Sequence, residues 1–273
     1  MSNFFKNKKV VVTGGSGFIG SHFLNELVKR GAIVKTHTFK SPLQVDNENI
    51  EVVENIDLTN LEDCIKLIEG AEYVIHCGGA VAHPSTVPTD VQISLAQLNL
   101  IGNVLEACAK TKVKRFLDLN SSTGYPDIRR PLTEDEFWVD NFNLETCHVV
   151  PALIKRHLSG ENPFNVWGSP DVVRDFLYVK DVVNGALLIL EKGESMRPYN
   201  LGYGSGVTIG DIVDTILKVT GNTPEVIWDN SKPTIPFRAV STDRIQNELG
   251  FKPTYSFEEG MKETINWYKK DKL

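Results

Sequence analysis

From residue 8 to residue 120 the chain alternates short β-branched runs with stretches whose apolar residues recur at helical spacing. KKVVVT (8–13) reads as a strand. After a Gly-rich turn, HFLNELVKRG places Phe23, Leu24, Leu27 and Val28 on one helical face. Gly31 suits the end of that helix, and AIVKTHTF supplies a second strand, so the first forty residues predict a βαβ unit. The pattern then repeats: a strand at 50–53, a helix in LEDCIKLIEG, a strand in EYVIHCGG, a long helix over 91–109 and a fifth strand over 113–120. Strands and helices in this alternation predict an α/β fold, a Rossmann-type doubly wound parallel sheet with ligands bound beyond the carboxyl ends of its strands.

After residue 145 prolines at 151, 163, 170, 198, 224, 233, 236 and 253 interrupt shorter elements. Helices are expected at 148–159, 179–191, 208–220 and 256–268, and short strands at 176–179, 199–201 and 226–228. Residues 1–145 are therefore expected to form the dinucleotide-binding domain and 146–273 a smaller C-terminal substrate-binding cap, with 176–191 returning to the first domain. No internal repeat or low-complexity tract interrupts this plan.

Charge and composition narrow the function. Lys plus Arg number 29 against 35 Asp plus Glu, a net charge of −6 with no long block of one sign, which argues against a nucleic-acid face. No apolar run approaches the roughly eighteen residues of a membrane span, and MSNFFKNKKVVV enters a strand without a signal-peptide core, so a cytoplasmic protein is expected. Cys64, Cys77, Cys108 and Cys147 lack metal-ligand spacing and read as reduced thiols, with no metal site expected.

The chemistry begins at the first turn. TGGSGFIG places Gly14, Gly17 and Gly20 directly after a strand and directly before a helix. Gly14 permits the tight turn, Gly17 lets backbone approach a pyrophosphate, and Gly20 lets helix and strand pack closely, while Phe18 and Ile19 open the helix with free N–H groups. NAD binders usually carry an acid at the end of the second strand, about twenty residues past the glycines. Here KTHTFK (35–40) has no acid before Asp46 and offers Lys35, His37 and Lys40 to a 2′-phosphate, so NADP is favoured, with NAD as the alternative. Asp57 and Leu58, after the third strand, are placed to reach the adenine edge; capping the next helix is the competing role for Asp57.

TGGSGFIG, VIHCGGA (74–80) and a strand ending NSSTGYP (120–126) resemble, in that order, the extended short-chain dehydrogenase/reductases, the NAD-dependent epimerase/dehydratase family. NFNLETCHVVPALIKR (141–156), VWGSPDVVRDFLYVKDVV (166–183), YNLGYGSGVTI (199–209), SKPTIPFR (231–238) and LGFKPTYSFEEGM (249–261) extend the resemblance over nearly the whole chain, with GDP-L-fucose synthase-like enzymes the most similar branch. The resemblance implies a nucleotide-sugar enzyme that moves hydride at C4 of a GDP-linked hexose, often as a homodimer, with Cys77, Gly78 and Gly79 lining the cofactor. It places Ser121 at the catalytic hydroxyl, with Thr123 and His148 beside the reaction and Ser122 and Asn143 against the substrate. An imidazole suits proton transfer at neutral pH because its unperturbed pKa is about 6.5. Arg156, Trp167 and Arg174 match residues that hold the nucleotide diphosphate, where Arg offers a planar two-bond fork and Trp a stacking face. Thr123 stands where fucose synthases carry a Cys acid; its hydroxyl is too weak an acid for 3,5-epimerisation, which points to C4 redox chemistry or 4-epimerisation.

One family feature is absent. The central acid/base is a Tyr with a Lys four residues later on a helix, because a Tyr pKa of about 10 has to fall about three units to work at neutral pH. In this chain Phe137-Trp-Val-Asp140 runs directly into NFNLETCHVV, and about forty to fifty residues, a helix with its strand and connections, are missing. Tyr268 and Lys272 have the literal spacing but fall in the last six residues, and Tyr125 is followed at the fourth position by Arg129. Two functions therefore compete: an NAD(P)-dependent nucleotide-sugar epimerase or reductase, and a catalytically inactive module that keeps the cofactor and sugar-nucleotide sites.

Overall fold

A computed structural model describes residues 3–39, 41–79, 91–120, 131, 133–134, 149–231 and 234–272. The chain divides into two compact units, the first comprising Met1–Ser121 with Ala186–Gly193, the second Ser122–Gly185 with Glu194–Leu273.

In the first unit β1 (Lys9–Thr13), α1 (Phe18–Lys29), β2 (Ile33–His37), β3 (Ile50–Val53), α2 (Leu61–Ile68), β4 (Tyr73–His76), α3 (Val91–Lys110) and β5 (Arg115–Asp118) follow in order. The strands form one sheet in the order β3-β2-β1-β4-β5, and every pairing is parallel. The mixed α/β, Rossmann-type architecture expected from the alternating pattern is therefore present. Val10, Val11 and Val12 of β1 and Val74 and Ile75 of β4 are buried, as strands covered on both faces require. One face packs on α2 and α3 through Val11, Val74, Leu67, Ile68, Val104 and Ala107. On α1, Phe23, Leu24 and Leu27 are fully buried, at the helical spacing that predicted them.

The second unit is built from α4 (Val149–Leu158), β6 (Phe164–Trp167), β7 (Val173–Arg174), α5 (Val179–Lys192), β8 (Val207–Thr208), α6 (Ile209–Thr220), β9 (Val226–Asp229), β10 (Phe237–Arg238), α7 (Asp243–Leu249) and α8 (Phe257–Lys272). The second half of α5 groups with the first unit, where the Leu190 carbonyl accepts from Arg115 Nη1 at 2.8 Å. Two short sheets, β10-β7-β8 and β6-β9, flank a core of Leu153, Ile154, Phe164, Val166, Ile212, Ile216 and Ile265. Tyr268 packs against this core, which makes its YxxxK spacing with Lys272 a packing coincidence.

Two expected strands are absent. At 176–178 the chain is irregular and Val179 already opens α5, because pairing is confined to Val173–Arg174 and the Asp175 carboxylate turns back to accept the Tyr203 N–H at 2.8 Å. At 199–201 no ladder forms, since the Asn200 N–H is taken at 2.8 Å by the buried carboxylate of Glu134. Among the described residues no helix is long and apolar enough to cross a membrane.

Candidate functional site

The glycine turn sits at the carboxyl edge of the parallel sheet. Gly14 has φ +68, and a Cβ there would lie 2.7 Å from the carbonyl of Cys77 and the nitrogen of Gly78, so the turn after β1 presses against the turn after β4. A Cβ on Gly20 would strike the Gly14 carbonyl oxygen, which gives the close helix-to-turn contact its reason. Gly17 N–H donates to that same oxygen at 3.0 Å, and a Cβ on Gly17 would meet nothing else. α1 therefore begins without a side-chain cap and without an acid in its first turn, while Phe18 and Ile19 stand exposed beside it. α2 and α6 begin differently, capped by Asn60 and by the Thr208–Asp211 capping box. An uncapped helix start with a positive dipole end and open backbone N–H groups fits a phosphate.

The neighbouring strand ends supply the walls. A Cβ on Gly78 would come within 3.0 Å of Leu58 Cδ1, so the Leu58 loop and the Gly78 turn adjoin, and Gly79 lies beside Gln97 of α3. Asp57 accepts the Thr59 N–H at 2.9 Å and its hydroxyl at 2.7 Å, a turn that leads into the Asn60 cap of α2. Burial pushes the Cys77 thiol up to about 12, so it stays protonated. His37 lies buried under the turn, with Nε2 accepting the Gly14 N–H at 3.1 Å. Lys35, mid-strand, pairs with Glu51 of β3 at 3.4 Å. Lys40 lies outside the described residues. Beyond β2, Thr38, Phe39, Ser41, Pro42, Leu43, Val52 and Glu54 line a hollow, with Glu54 the acid in its wall.

His76 is the residue that sequence reading passed over. It ends β4 in register with Thr13 and Asp118, and its Nδ1 lies 2.6 Å from Thr13 Oγ1. Burial, assisted by the nearby His37, lowers its pKa to about 4. The signal was a lone imidazole closing the apolar run YVIH; only pairing of β4 with β1 gives it a partner.

In the second unit Arg156, near the end of α4, donates from Nε to Glu161 at 2.6 Å and from Nη2 to the same carboxylate and to the Asn165 carbonyl, the latter at 2.6 Å. That guanidinium holds the Glu161 carboxyl down at about 2. Trp167 closes β6 in register with Asp229 and is 60% exposed. After it, Gly168 at φ +87 donates its N–H to the Asp229 carbonyl at 2.7 Å. Arg174 on β7 donates from Nη1 to the carbonyls of Val173 at 2.7 Å and Ile235 at 2.8 Å. Ser121, Ser122, Thr123, Asn143 and His148, together with Tyr125, lie outside the described residues.

Comparison with known proteins bears on the family and the fold. The model of the NAD dependent epimerase/dehydratase family matches residues 10–141 and, separately, 137–202. A probable GDP-L-fucose synthase 1 of Oryza sativa subsp. japonica is 28% identical over 323 aligned residues, covering 96% of this chain and 92% of that protein. Those 323 positions exceed the chain's 273 residues, so at least 50 of them stand opposite a gap in this chain. Among solved structures, an epimerase of Methanothermobacter thermautotrophicus superposes with a TM-score of 0.87 at 22% identity, covering 98% of this chain and 94% of its own. A UDP-glucose 4-epimerase of Thermotoga maritima, solved with UDP-glucose, does so with a TM-score of 0.84 at 23% identity, covering 96% and 99%. At these identities the structural likenesses show the fold.

Proposed function

We propose that this chain, which belongs to the NAD dependent epimerase/dehydratase family, binds NADP at the carboxyl edge of its five-stranded sheet and takes a nucleoside diphosphate sugar, GDP-linked, as its second ligand. The observation that carries the reading is the uncapped start of α1, set by Gly14 and Gly20 against the turn after β4. Phe18 and Ile19 would give their N–H groups to the pyrophosphate, Gly17 would leave room for it, and Asp57, Leu58, Cys77, Gly78 and Gly79 would border the remainder. When bound, the nicotinamide supplies and recovers a hydride at C4 of the hexose.

The preference for NADP rests on a β2 end without an acid of its own and on Lys40. Lys35 is committed to Glu51 and His37 to Gly14, which removes both from contact with a 2′-phosphate. Glu54 is the residue that would favour NAD, by accepting from a ribose 2′-hydroxyl. On the sugar side, Ser121 would hydrogen-bond the reacting oxygen and His148 would move a proton at the carbon next to the ketone. With the weakly acidic Thr123 hydroxyl in place of the Cys acid, His148 alone would not complete 3,5-epimerisation, so C4 redox chemistry or 4-epimerisation is the favoured reaction. Trp167 would stack on the base, and Arg174 and Arg156 would hold the diphosphate.

A second reading, an inactive module that binds cofactor and sugar nucleotide, is favoured by one specific observation. The two family matches overlap at 137–141, where the sequence lacks its Tyr-Lys helix, and at least 50 aligned positions of the rice relative face a gap. Two measurements separate the readings. Thermal shift with NADPH and NADH tests the cofactor site, with a larger shift expected from NADPH; no shift with either would remove it. NADPH consumption with a GDP-4-keto-6-deoxy sugar then distinguishes enzyme from binding module.

A further inference from the structure

Two buried imidazoles lie beneath the glycine turn. β1 pairs with β2 through Val12 and Thr36 and with β4 through Thr13 and His76, so the next residue of β2, His37, falls on the other side of Thr13 from His76. His37 and His76 are 7% and 2% exposed. The Gly14 N–H donates to His37 Nε2 at 3.1 Å. A ring nitrogen that accepts carries no proton, so His37 is neutral with its proton on Nδ1. Gly14 in turn offers its carbonyl to Gly17 N–H at 3.0 Å, the contact that ends the turn and begins α1. One imidazole therefore anchors the N–H side of Gly14, the residue whose carbonyl, one peptide on, receives Gly17. His76, beyond Thr13, has Nδ1 2.6 Å from Thr13 Oγ1, while its Nε2 is buried with no hydrogen-bond partner among the described residues.

We infer that His37 is a positioning residue for the dinucleotide: its neutral imidazole holds the Gly14 peptide in the orientation that presents the first N–H groups of α1, and a second proton on the ring releases it. The inference rests on the cofactor reading above. The proton would come from solvent and take the Nε2 electron pair that Gly14 N–H now uses. Two N–H donors would then face each other, and the hydrogen bond is lost. Burial lowers the pKa of His37, against the opposing pull of the Ile56 and Thr38 backbone.

The charged and titratable surroundings are few. On β4 stand His76, whose positive form would repel a charged His37, and Cys77, kept as a thiol by burial. Asp118 ends β5 with its carboxyl raised by burial. Asp57 and Asp63 lie in the turn and helix after β3, where the Asp63 carboxylate accepts the Asp57 N–H at 3.0 Å. Lys35 of β2 is paired with Glu51 of β3, and α1 has no acid in its first turn.

The test is calorimetric titration of NAD+ and NADP+ into wild type, His37→Gln and His37→Leu from about pH 8 down to about pH 4.5, well below the ordinary histidine pKa because burial lowers that of His37. Gln keeps an acceptor that does not titrate, and comparing variants at one pH cancels titration of the ligand itself. Wild-type affinity is expected to fall several-fold in acid relative to His37→Gln. His37→Leu should bind about tenfold more weakly at the higher pH, the scale of one hydrogen bond at about 1.4 kcal/mol. Nitrogen chemical shifts of the wild-type ring should show an unprotonated Nε2 at neutral pH, a readout independent of ligand. Wild type that binds neither dinucleotide overturns the cofactor reading and this inference with it. Wild type that binds with the same pH profile as His37→Gln, or a protonated Nε2 at neutral pH, overturns this inference alone.

Discussion

Arg156 and Glu161 close on each other as a two-point pair, Nε and Nη2 of the guanidinium on one carboxylate, beside the Asn165 carbonyl that also accepts from Nη2. The fork proposed to hold a diphosphate is thus already occupied by an internal anion. If phosphate displaces Glu161, the carboxylate is a competitor, and removing its charge frees the fork while the Asn165 carbonyl still orients it. Glu161→Gln is expected to tighten GDP binding several-fold, and Arg156→Ala to weaken it by about 1.5 to 3 kcal/mol, the scale of a charged hydrogen bond. Calorimetry with GDP decides; unchanged affinity in both variants would take Arg156 out of the site.

Gly20 is where a single methyl should abolish cofactor binding. Its Cβ would overlap the Gly14 carbonyl oxygen and approach the Gly14 carbonyl carbon to 2.8 Å, and neither is the movable end of a side chain. Gly20→Ala should destabilise the first unit by about 1 to 3 kcal/mol through overpacking. It should also erase the dinucleotide stabilisation, which in wild type amounts to about 2.7 kcal/mol at one hundred times the dissociation constant. Gly102, in α3 with nothing within 4 Å of its Cβ position, is the control: Gly102→Ala should bind as wild type does. A Gly20→Ala protein with a full thermal shift would refute the steric account.

Stability should depend on pH through His76. Its folded pKa is about 4 against an ordinary value near 6.5, because burial and the neighbouring His37 disfavour the charged ring. The unfolded chain therefore binds the extra proton first. The stability is fully present above about pH 6.5 and is lost as pH falls toward 4, by up to about 1.4 kcal/mol for each pH unit. Guanidinium midpoints of wild type and His76→Gln across that window should diverge in this direction; parallel curves would mean that the ring is hydrated in the folded protein.

Turnover is expected to be very low. Ser121 and His148 remain in the sequence, but the Tyr with a Lys at the fourth following position, Tyr268 with Lys272, ends α8 rather than lying between the Ser121 strand and the cap, so the family's C4 proton carrier is missing, and a positioned acid/base contributes a factor of about 10² to 10⁴. Stopped-flow or steady-state oxidation of NADPH with a GDP-4-keto-6-deoxy sugar measures this. A rate like that of complete family members would assign the proton transfer elsewhere, and Tyr125→Phe would then be the variant to make.

The linear order of residues determined the first unit almost to its edges. Helical spacing of Phe23, Leu24 and Leu27, β-branched runs at 8–13 and 50–53, and glycines at 14, 17 and 20 are local signals whose reading needs no knowledge of distant partners. The second unit was less legible because its strands are two to four residues long, too short for a periodicity to register. Their pairing is chosen by distant groups: Glu134 removes Asn200 from a ladder, and Asp175 removes the residues after β7. The same division runs through the site. Gly14, Gly17 and Gly20 announce a phosphate turn by spacing alone, whereas the roles of His37, His76, Lys35 and Arg156 depend on what stands opposite them. His37 and Lys35 look alike in sequence as cations near the end of a strand. Pairing of β2 with β1 and β3 buries the first under Gly14 and ties the second to Glu51, since the donor N–H and the carboxylate that decide their chemistry lie 23 and 16 residues away and meet them only in the folded sheet.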